Sequence, residues 1–443
     1  MRSAERHAVS RREFLRGTVA TGVGLASWHA AGGQHTATAA TTTLNFKGWN
    51  YEPDLVQENI DIFKQQHPDI QVKYEAIGGN YMDKIAALFI ANSDLDCLYV
   101  RDTNFAGWVD AGWLRPIEGL PGVEEYKKLF YNHNRAAMTY DGKLYGLPYY
   151  TDFHVWAYNE EMLHKAGFEK PGRTLDEITE QARKIKEKGI LAYPIVPGYT
   201  QVAWGHWEWW AYVYASQVNL FDDDANPILQ DDPRAEKLLQ WLVDGIHKHK
   251  IIDKKTIEMN TNMARDAMGA GQVAFTGVPK YDLQRLNDPK LSQVVGKIKM
   301  MPYPTLEPNL NGTVGWTRMY SLTKNVRNVE AAWKLIQYLG GKDSHGEFYT
   351  AKRWYLLKGL GFAYPHLWKD KEIYESTSKW ASVEVIEDVG QYARSIEIIK
   401  QPWYTEYERF HIQELQRAFL QQITPKQALV NMAKFAKKIK AQY

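Results

Sequence analysis

The sequence predicts an α/β protein in two lobes, each a mostly parallel sheet flanked by helices. Three observations lead there. The chain has 443 residues, more than one hydrophobic core holds well. From Leu44 to Thr103, strand-like and helix-like periodicities alternate with short links, the pattern of a parallel sheet with right-handed crossovers. Hydrophobic residues make up 44% and charged residues 24%, which excludes disordered and collagen-like chains.

The N-terminus reads as an address. Ser10-Arg11-Arg12-Glu13-Phe14-Leu15 precedes a Gly-rich apolar stretch, Gly17 to Ala31, and then small residues ending Ala37-Thr38-Ala39-Ala40. Positive start, apolar middle and an A-x-A cleavage site are the parts of a secretory signal. The arginine pair resembles a twin-arginine signal, which exports folded proteins. Residues 1–40 are therefore expected to be a removed signal peptide, and the remaining protein to be periplasmic. The apolar stretch falls short of the ~20 residues of a membrane span, and no cysteine follows it for a lipid anchor. Without this segment's five Arg and two Glu, the formal charge of +2 becomes −1, which leaves no nucleic-acid footprint. The single cysteine, Cys97, excludes a disulfide scaffold and a Cys-based zinc site.

Leu44, Phe46 and Gly48 alternate with polar residues as in a strand, which ends at Trp49-Asn50-Tyr51. Pro53 opens a helix whose Val56, Ile60 and Phe63 form one apolar stripe, and His67-Pro68-Asp69 breaks it. Ile70, Val72 and Tyr74 alternate up to Gly78-Gly79-Asn80. A helix from Tyr81 to about Asn92 and a buried strand, Leu95 to Val100, follow, ending at Arg101-Asp102-Thr103. Gly142 to Tyr150 reads as a turn and a strand that continues through Asn159, and Thr174 starts a helix with Asp176 and Glu177 in its first turn. A helix begins near Asp232-Pro233; Ala267 to Gly277 is a helix end, a turn and a buried strand. Lys297 to Thr305 reads as an extended connector between lobes, and Gly312 to Arg318 precedes a strand and the helix Val329 to Leu339. From Tyr404 the chain is largely helical, with a Lys-rich solvated face.

Ligands of open parallel sheets bind outside the carboxyl ends of the strands. Here those ends carry Trp49, Asn50 and Tyr51, then Asn80 and Tyr81, then Arg101 and Asp102. Each group alone reads as a turn or helix cap; three on one edge point to a site. Aromatic residues reach 13% with 16 Trp, and rings offer planar binding surfaces as well as core packing. In the aromatic window 204–210, Trp204 and Trp207 are the indoles expected to face a ligand. Lys280 and Tyr281, after the buried strand, and Trp316 and Arg318 are further candidate contacts.

Other motifs lead nowhere. Asp222-Asp223-Asp224 starts like a calcium loop, but Pro227 stands where its Gly belongs and no Glu closes it. His247 and His249, two apart on a helix, do not face one ligand. There is no phosphate loop, dinucleotide fingerprint, H-E-x-x-H or G-x-S-x-G. Nothing demands a catalytic residue, a metal or a cofactor, and a glycosidase pair depends on a spatial separation.

The order of segments resembles the periplasmic solute-binding proteins of the maltose-binding type, sugar receptors of bacterial ABC importers. The resemblance is carried by Leu44 to Val72, Ser93 to Val100, Phe105 to Leu114, Gly142 to Pro148 with Tyr158-Asn159, Asn219 to Asp253, Met268 to Gly277, and Ala331 to Leu339. It implies the type II periplasmic-binding-protein fold, with a ligand cleft between lobes that close by hinge motion. The lobes would comprise 41–151 plus 300–345, and 152–299 plus 346–443. It also implies a non-enzymatic, monomeric receptor holding a carbohydrate and docking on permease subunits. Position by position, Trp49 to Glu52 matches the first ligand loop, and Asp102 and Asp152 match acidic contacts. Thr103 replaces the family's basic residue, Lys280 or Tyr281 stands where an aromatic belongs, and Trp403 matches a late stacking Trp. Arg101, Arg318 and Lys280 exceed what a neutral sugar needs and admit an acidic substituent; a salt bridge from Arg318 to a neighbouring residue is the alternative. Rival readings are a receptor for a polyamine or other small polar solute, for which Asp102 and Asp152 would serve, and an exported carbohydrate-active enzyme.

Overall fold

The computed structural model of the chain describes residues 41–202 and 206–443. The signal-peptide reading of 1–40 and the ligand-facing role of Trp204 fall outside them.

Strand β1 (Thr42–Trp49) buries Leu44, Phe46 and Gly48 on one face, as the alternation predicts. It leads to α1 (Pro53–Gln66), whose Val56, Ile60 and Phe63 are buried. Next come β2 (Ile70–Ile77), α2 (Tyr81–Ile90), β3 (Cys97–Arg101) and α3 (Asp102–Asp110). A short hairpin then turns at Asp141-Gly142, both with positive φ, the signature of a type I′ turn. The long strand β4 (Gly146–Asn159) follows.

Helix α4 (Leu175–Glu187) starts with a capping box in which Thr174 and Glu177 satisfy each other's backbone N–H. Helix α5 (Trp207–Ala215) is wholly buried and apolar except for Glu208, which accepts from the Gly198 N–H at 3.1 Å. Helix α6 (Pro233–His247) is capped by Asp232, and β5 (Phe275–Pro279) lies fully buried.

Two segments differ from their sequence reading. Within 297–305, β6 (Ile298–Met301) is a sheet strand with Ile298, Met300 and Met301 buried, not a free connector; Pro302, lacking an N–H, ends it. Within 312–318, all but the first residue belong to β7 (Thr313–Thr323) rather than preceding it. The chain closes with α7 (Val329–Gly340), α8 (Tyr349–Lys358), α9 (Tyr404–Phe419) and α10 (Pro425–Lys440).

The sheet runs β2-β1-β3-β7-β4-β5, with β6 also on β4. Parallel pairing joins β1 to β2 and β3. The long strands change that: β7 is antiparallel to β3 and β4, and β4 to β5 and β6. A strand arriving from a different part of the fold need not share the direction of the βαβ run, so the expected parallel character is kept by the first three strands and by the short pairing of β7 with Ala393–Arg394. The apolar residues form two cores, one around Phe46, Ile60, Leu98 and Ile336, the other around Trp156, Trp209, Trp210 and Leu239. β4 serves both: Leu147 and Val155 pack in the first and Trp156 in the second. Among the described residues no helix is long and apolar enough to cross a membrane.

Candidate functional site

The site lies where the end of β3 meets the middle of β7 and β4. Its first wall is the end of β1. A Cβ at Gly48 would sit 2.5 Å from the Tyr99 ring, so only glycine lets that ring lie on the strand. Tyr99 in turn packs on Trp49 at 4.5 Å and stacks on Tyr149 at 4.5 Å. Tyr81 meets the Trp49 indole edge-on at 5.6 Å, and its hydroxyl donates to the Tyr99 carbonyl at 2.8 Å. Tyr51, 38% exposed, stacks on Trp354 at 6.2 Å. Asn50 and Asn80 are exposed, Asn80 bonding Asp83. Glu52 opens α1 in the left-handed region, φ 48°, and pairs with Lys358 at 2.7 Å.

The floor is polar. Asp102, buried, opens α3; its carboxylate accepts from the Arg318 guanidinium and from the Thr317 N–H at 3.2 Å. Arg318 stands directly opposite Arg101 on one side and Tyr150 on the other, with a register shift between Arg318 and Met319. Directly opposed residues share a sheet face, so Arg101, Arg318 and Tyr150 form one row across three strands. Buried Asn134 fixes the row from behind, donating to Thr151 Oγ1 at 2.5 Å and to Thr317 Oγ1 at 2.9 Å.

Rings close the other side. Trp207, at the start of α5, lies 5.9 Å from the Arg318 guanidinium and edge-on to Trp316 at 5.2 Å. Trp316 meets Tyr281 at 6.3 Å, and Tyr281 meets Tyr150 at 6.5 Å. The Arg101 guanidinium sits 5.5 Å from the Trp49 ring. Trp49, Tyr51, Arg101, Asp102, Trp207, Tyr281, Trp316 and Arg318 are thus linked through a few contacts, although their positions span most of the chain.

Three expected contacts go elsewhere. Asp152 and Lys280 are fully buried and pair with each other at 3.5 Å. Asp152 also accepts from the Gly361 N–H at 3.2 Å, and Lys280 donates to the Gly359 carbonyl at 2.9 Å. Burial raises the Asp152 carboxyl to about 6 and lowers the Lys280 amine, against their mutual attraction. Their polar atoms serve the interior, not a ligand. Trp403, 1% exposed, packs against Phe221 and Tyr407 at 6.1 Å each; it is a core residue.

Sequence reasoning missed Tyr150, Asn134, Lys400 and the group behind Trp207. Lys400 donates to the Ala136 and Thr139 carbonyls at 2.6 and 2.7 Å, and burial lowers its pKa. Behind Trp207, His206 lies 3.1 Å from Glu408, with Tyr404 donating to Glu408 at 3.1 Å. Burial holds His206 down to about 3 and raises Glu408 to about 8, favouring the neutral form of each. Alternation along β4 marks Tyr150 only as a strand residue, and no local motif surrounds the others.

The calcium-like loop is an Asx turn, Asp222 accepting from the Asp224 and Asn226 N–H groups. Among the described residues no cluster of His, Cys, Asp and Glu could hold a metal. Flat indole and phenol faces beside amides, a carboxylate and guanidinium donors suit a ligand with C–H faces and a belt of polar substituents.

Comparison with known proteins follows the same line. The family described as "Bacterial extracellular solute-binding protein" matches residues 49–345. An arabinooligosaccharide-binding protein of Bacillus subtilis is 21% identical over 341 residues, 75% of this chain and 76% of its own. A mannitol-binding protein of Pseudomonas aeruginosa is 28% identical over 170 residues, 37% of each chain. Maltose-bound MalE3 of T. maritima superposes with a TM-score of 0.76 at 21% identity, covering 90% of this chain and 100% of that one.

Proposed function

The chain belongs to the bacterial extracellular solute-binding protein family, and from that premise we propose that it is the exported sugar receptor of an ABC importer. It holds a sugar or short oligosaccharide between its lobes and delivers it to permease subunits in the inner membrane. Residues 1–40 direct export by the twin-arginine route. The receptor works as a monomer, without a cofactor, and releases its ligand unchanged.

The observation that carries this reading is the wall of Trp49, Tyr51, Trp207, Trp316 and Tyr281 around the Arg101–Arg318–Tyr150 row. Indoles cover the C–H faces of a pyranose while Asp102 and the guanidinium groups take its polar edge. β4 and β7, the long strands at the middle of the sheet order, are suited to act as the strands about which lobes close. The arabinooligosaccharide- and mannitol-binding relatives support the same ligand class. A polyamine fits poorly, because cationic side chains outnumber carboxylates in the row.

A thermal-shift screen against sugars, sugar acids, polyols and polyamines tests it. A ligand of the folded state at a hundredfold excess over Kd adds about 2.7 kcal/mol of stability. Carbohydrates are expected to raise the melting temperature. A shift with polyamines alone, or slow consumption of a sugar polymer, would overturn the reading.

A further inference from the structure

We infer that the ligand is an acidic sugar, a carbohydrate bearing a carboxylate of the uronic-acid kind, whose negative group pairs with Arg101. This rests on the reading that the site takes a carbohydrate.

Three cations in this region exceed what a neutral sugar needs, and the structure disposes of two. Lys280 is matched by Asp152, and Arg318 by Asp102. Arg101 is left over. Among the described residues no carboxylate lies within ion-pair distance of it, and its Nε is buried without a hydrogen-bond partner. Its guanidinium lies over the Trp49 ring. Across the sheet it faces a second guanidinium, that of Arg318; burial and that neighbour lower its pKa against the attraction of Asp102.

The surroundings sharpen the imbalance. Asp102 is already engaged by Arg318 and the Thr317 N–H. Lys400 adds a positive charge satisfied by carbonyls alone. Burial favours the neutral form of Glu408. The site therefore carries more positive than negative charge beside aromatic walls.

A half-buried guanidinium that no carboxylate engages directly keeps part of its desolvation cost uncompensated. A ligand that brings the counter-charge removes that cost on binding, so the free protein is poised for an anion. The planar guanidinium fork matches a planar carboxylate through two parallel N–H···O bonds. Trp49, against the same guanidinium, offers its ring to the sugar that carries the carboxylate. A sulfate ester shares the charge but not the planarity.

Calorimetric titration tests the inference with D-galacturonate, D-glucuronate and their disaccharides, with D-galactose, D-glucose and the matching neutral disaccharides, and with the corresponding sulfate esters. Uronates are expected to bind about thirtyfold more tightly than their neutral counterparts, the value of a charged hydrogen-bonded pair. The preference should shrink as ionic strength rises and collapse in Arg101→Gln. Because that substitution removes a half-buried charge that no carboxylate engages directly, the melting temperature of the free protein should hold or rise. Should Arg101→Gln fail to fold, Arg101→Lys and the ionic-strength series on the unaltered protein decide. Neutral sugars bound as tightly as uronates would overturn this inference and leave the sugar-receptor reading standing. Sulfate esters preferred over uronates would overturn the carboxylate. Failure of every carbohydrate to bind would remove both readings together.

Discussion

Asp152 and Lys280 form an ion pair 3.5 Å long with both side chains shut off from solvent. The pair joins three pieces of chain: β4, the residue after β5, and the 359–361 loop, whose Gly361 N–H and Gly359 carbonyl complete the set. A Cβ at Gly361 would fall 2.3 Å from the Thr151 carbonyl oxygen, so this loop approaches β4 as closely as only glycine allows. The pair is a staple beneath the site.

Removing one member should be severe. Asp152→Asn leaves a buried ammonium without its counter-ion and is expected to lower stability by about 3–5 kcal/mol in urea denaturation. Asp152→Asn combined with Lys280→Met should recover much of that loss. A single substitution that leaves the midpoint unchanged would mean that the pair is exposed in solution.

Gly48→Ala drives a methyl group into the Tyr99 ring. Overpacking of this kind is expected to cost about 1–3 kcal/mol. Because Tyr99 packs on Trp49, ligand affinity should fall as well. Equilibrium unfolding and ligand titration of the same variant check both effects.

Much of this arrangement was legible in the sequence. The β1-α1-β2-α2-β3 run and the rim at its strand ends follow from periodicity, because each segment there is local and amphipathic. The resemblance to sugar receptors pointed to Trp49 and Asp102, which the structure places against Arg101 and Arg318 respectively. What stayed hidden depends on distant pairing. Asp152 and Lys280 each look like a cleft residue until β4 and β5 are brought together. Trp403 reads as a stacking ring, yet Phe221 and Tyr407 enclose it. Arg101 could be told from Arg318 only after Asp102 was seen to engage one of them.

His154 gives a pH test. It is buried, its Nδ1 lies 3.2 Å from the Tyr303 hydroxyl, and burial lowers its pKa from the usual 6.5 to about 3. Between those values the unfolded chain binds a proton that the native state refuses, so acidification below 6.5 favours unfolding. Relative to His154→Gln, the wild-type protein should lose up to about 1.4 kcal/mol per pH unit from 6.5 down to 4. Urea melts of both proteins across that range check the slope; a difference independent of pH would mean that His154 protonates in the folded state.

Asn134 bridges the hydroxyls of Thr151 and Thr317, one residue from Tyr150 and Arg318. Asn134→Ala removes both bonds inside the protein and is expected to cost about 1–3 kcal/mol. Ligand affinity should weaken with it, since the row loses its backing. Unchanged affinity in a destabilised variant would show that the row holds its geometry without the clamp.

The central claim is that a sugar lies against the rings that border the Arg101–Arg318–Tyr150 row. Calorimetric titration of the wild-type protein and of Trp207→Ala, with the carbohydrate giving the largest thermal shift, tests it most directly. The account predicts saturable one-to-one binding that Trp207→Ala weakens at least about tenfold, a loss of about 1.4 kcal/mol. Equal affinity in the two proteins, or a steady heat of turnover in place of saturation, would contradict it.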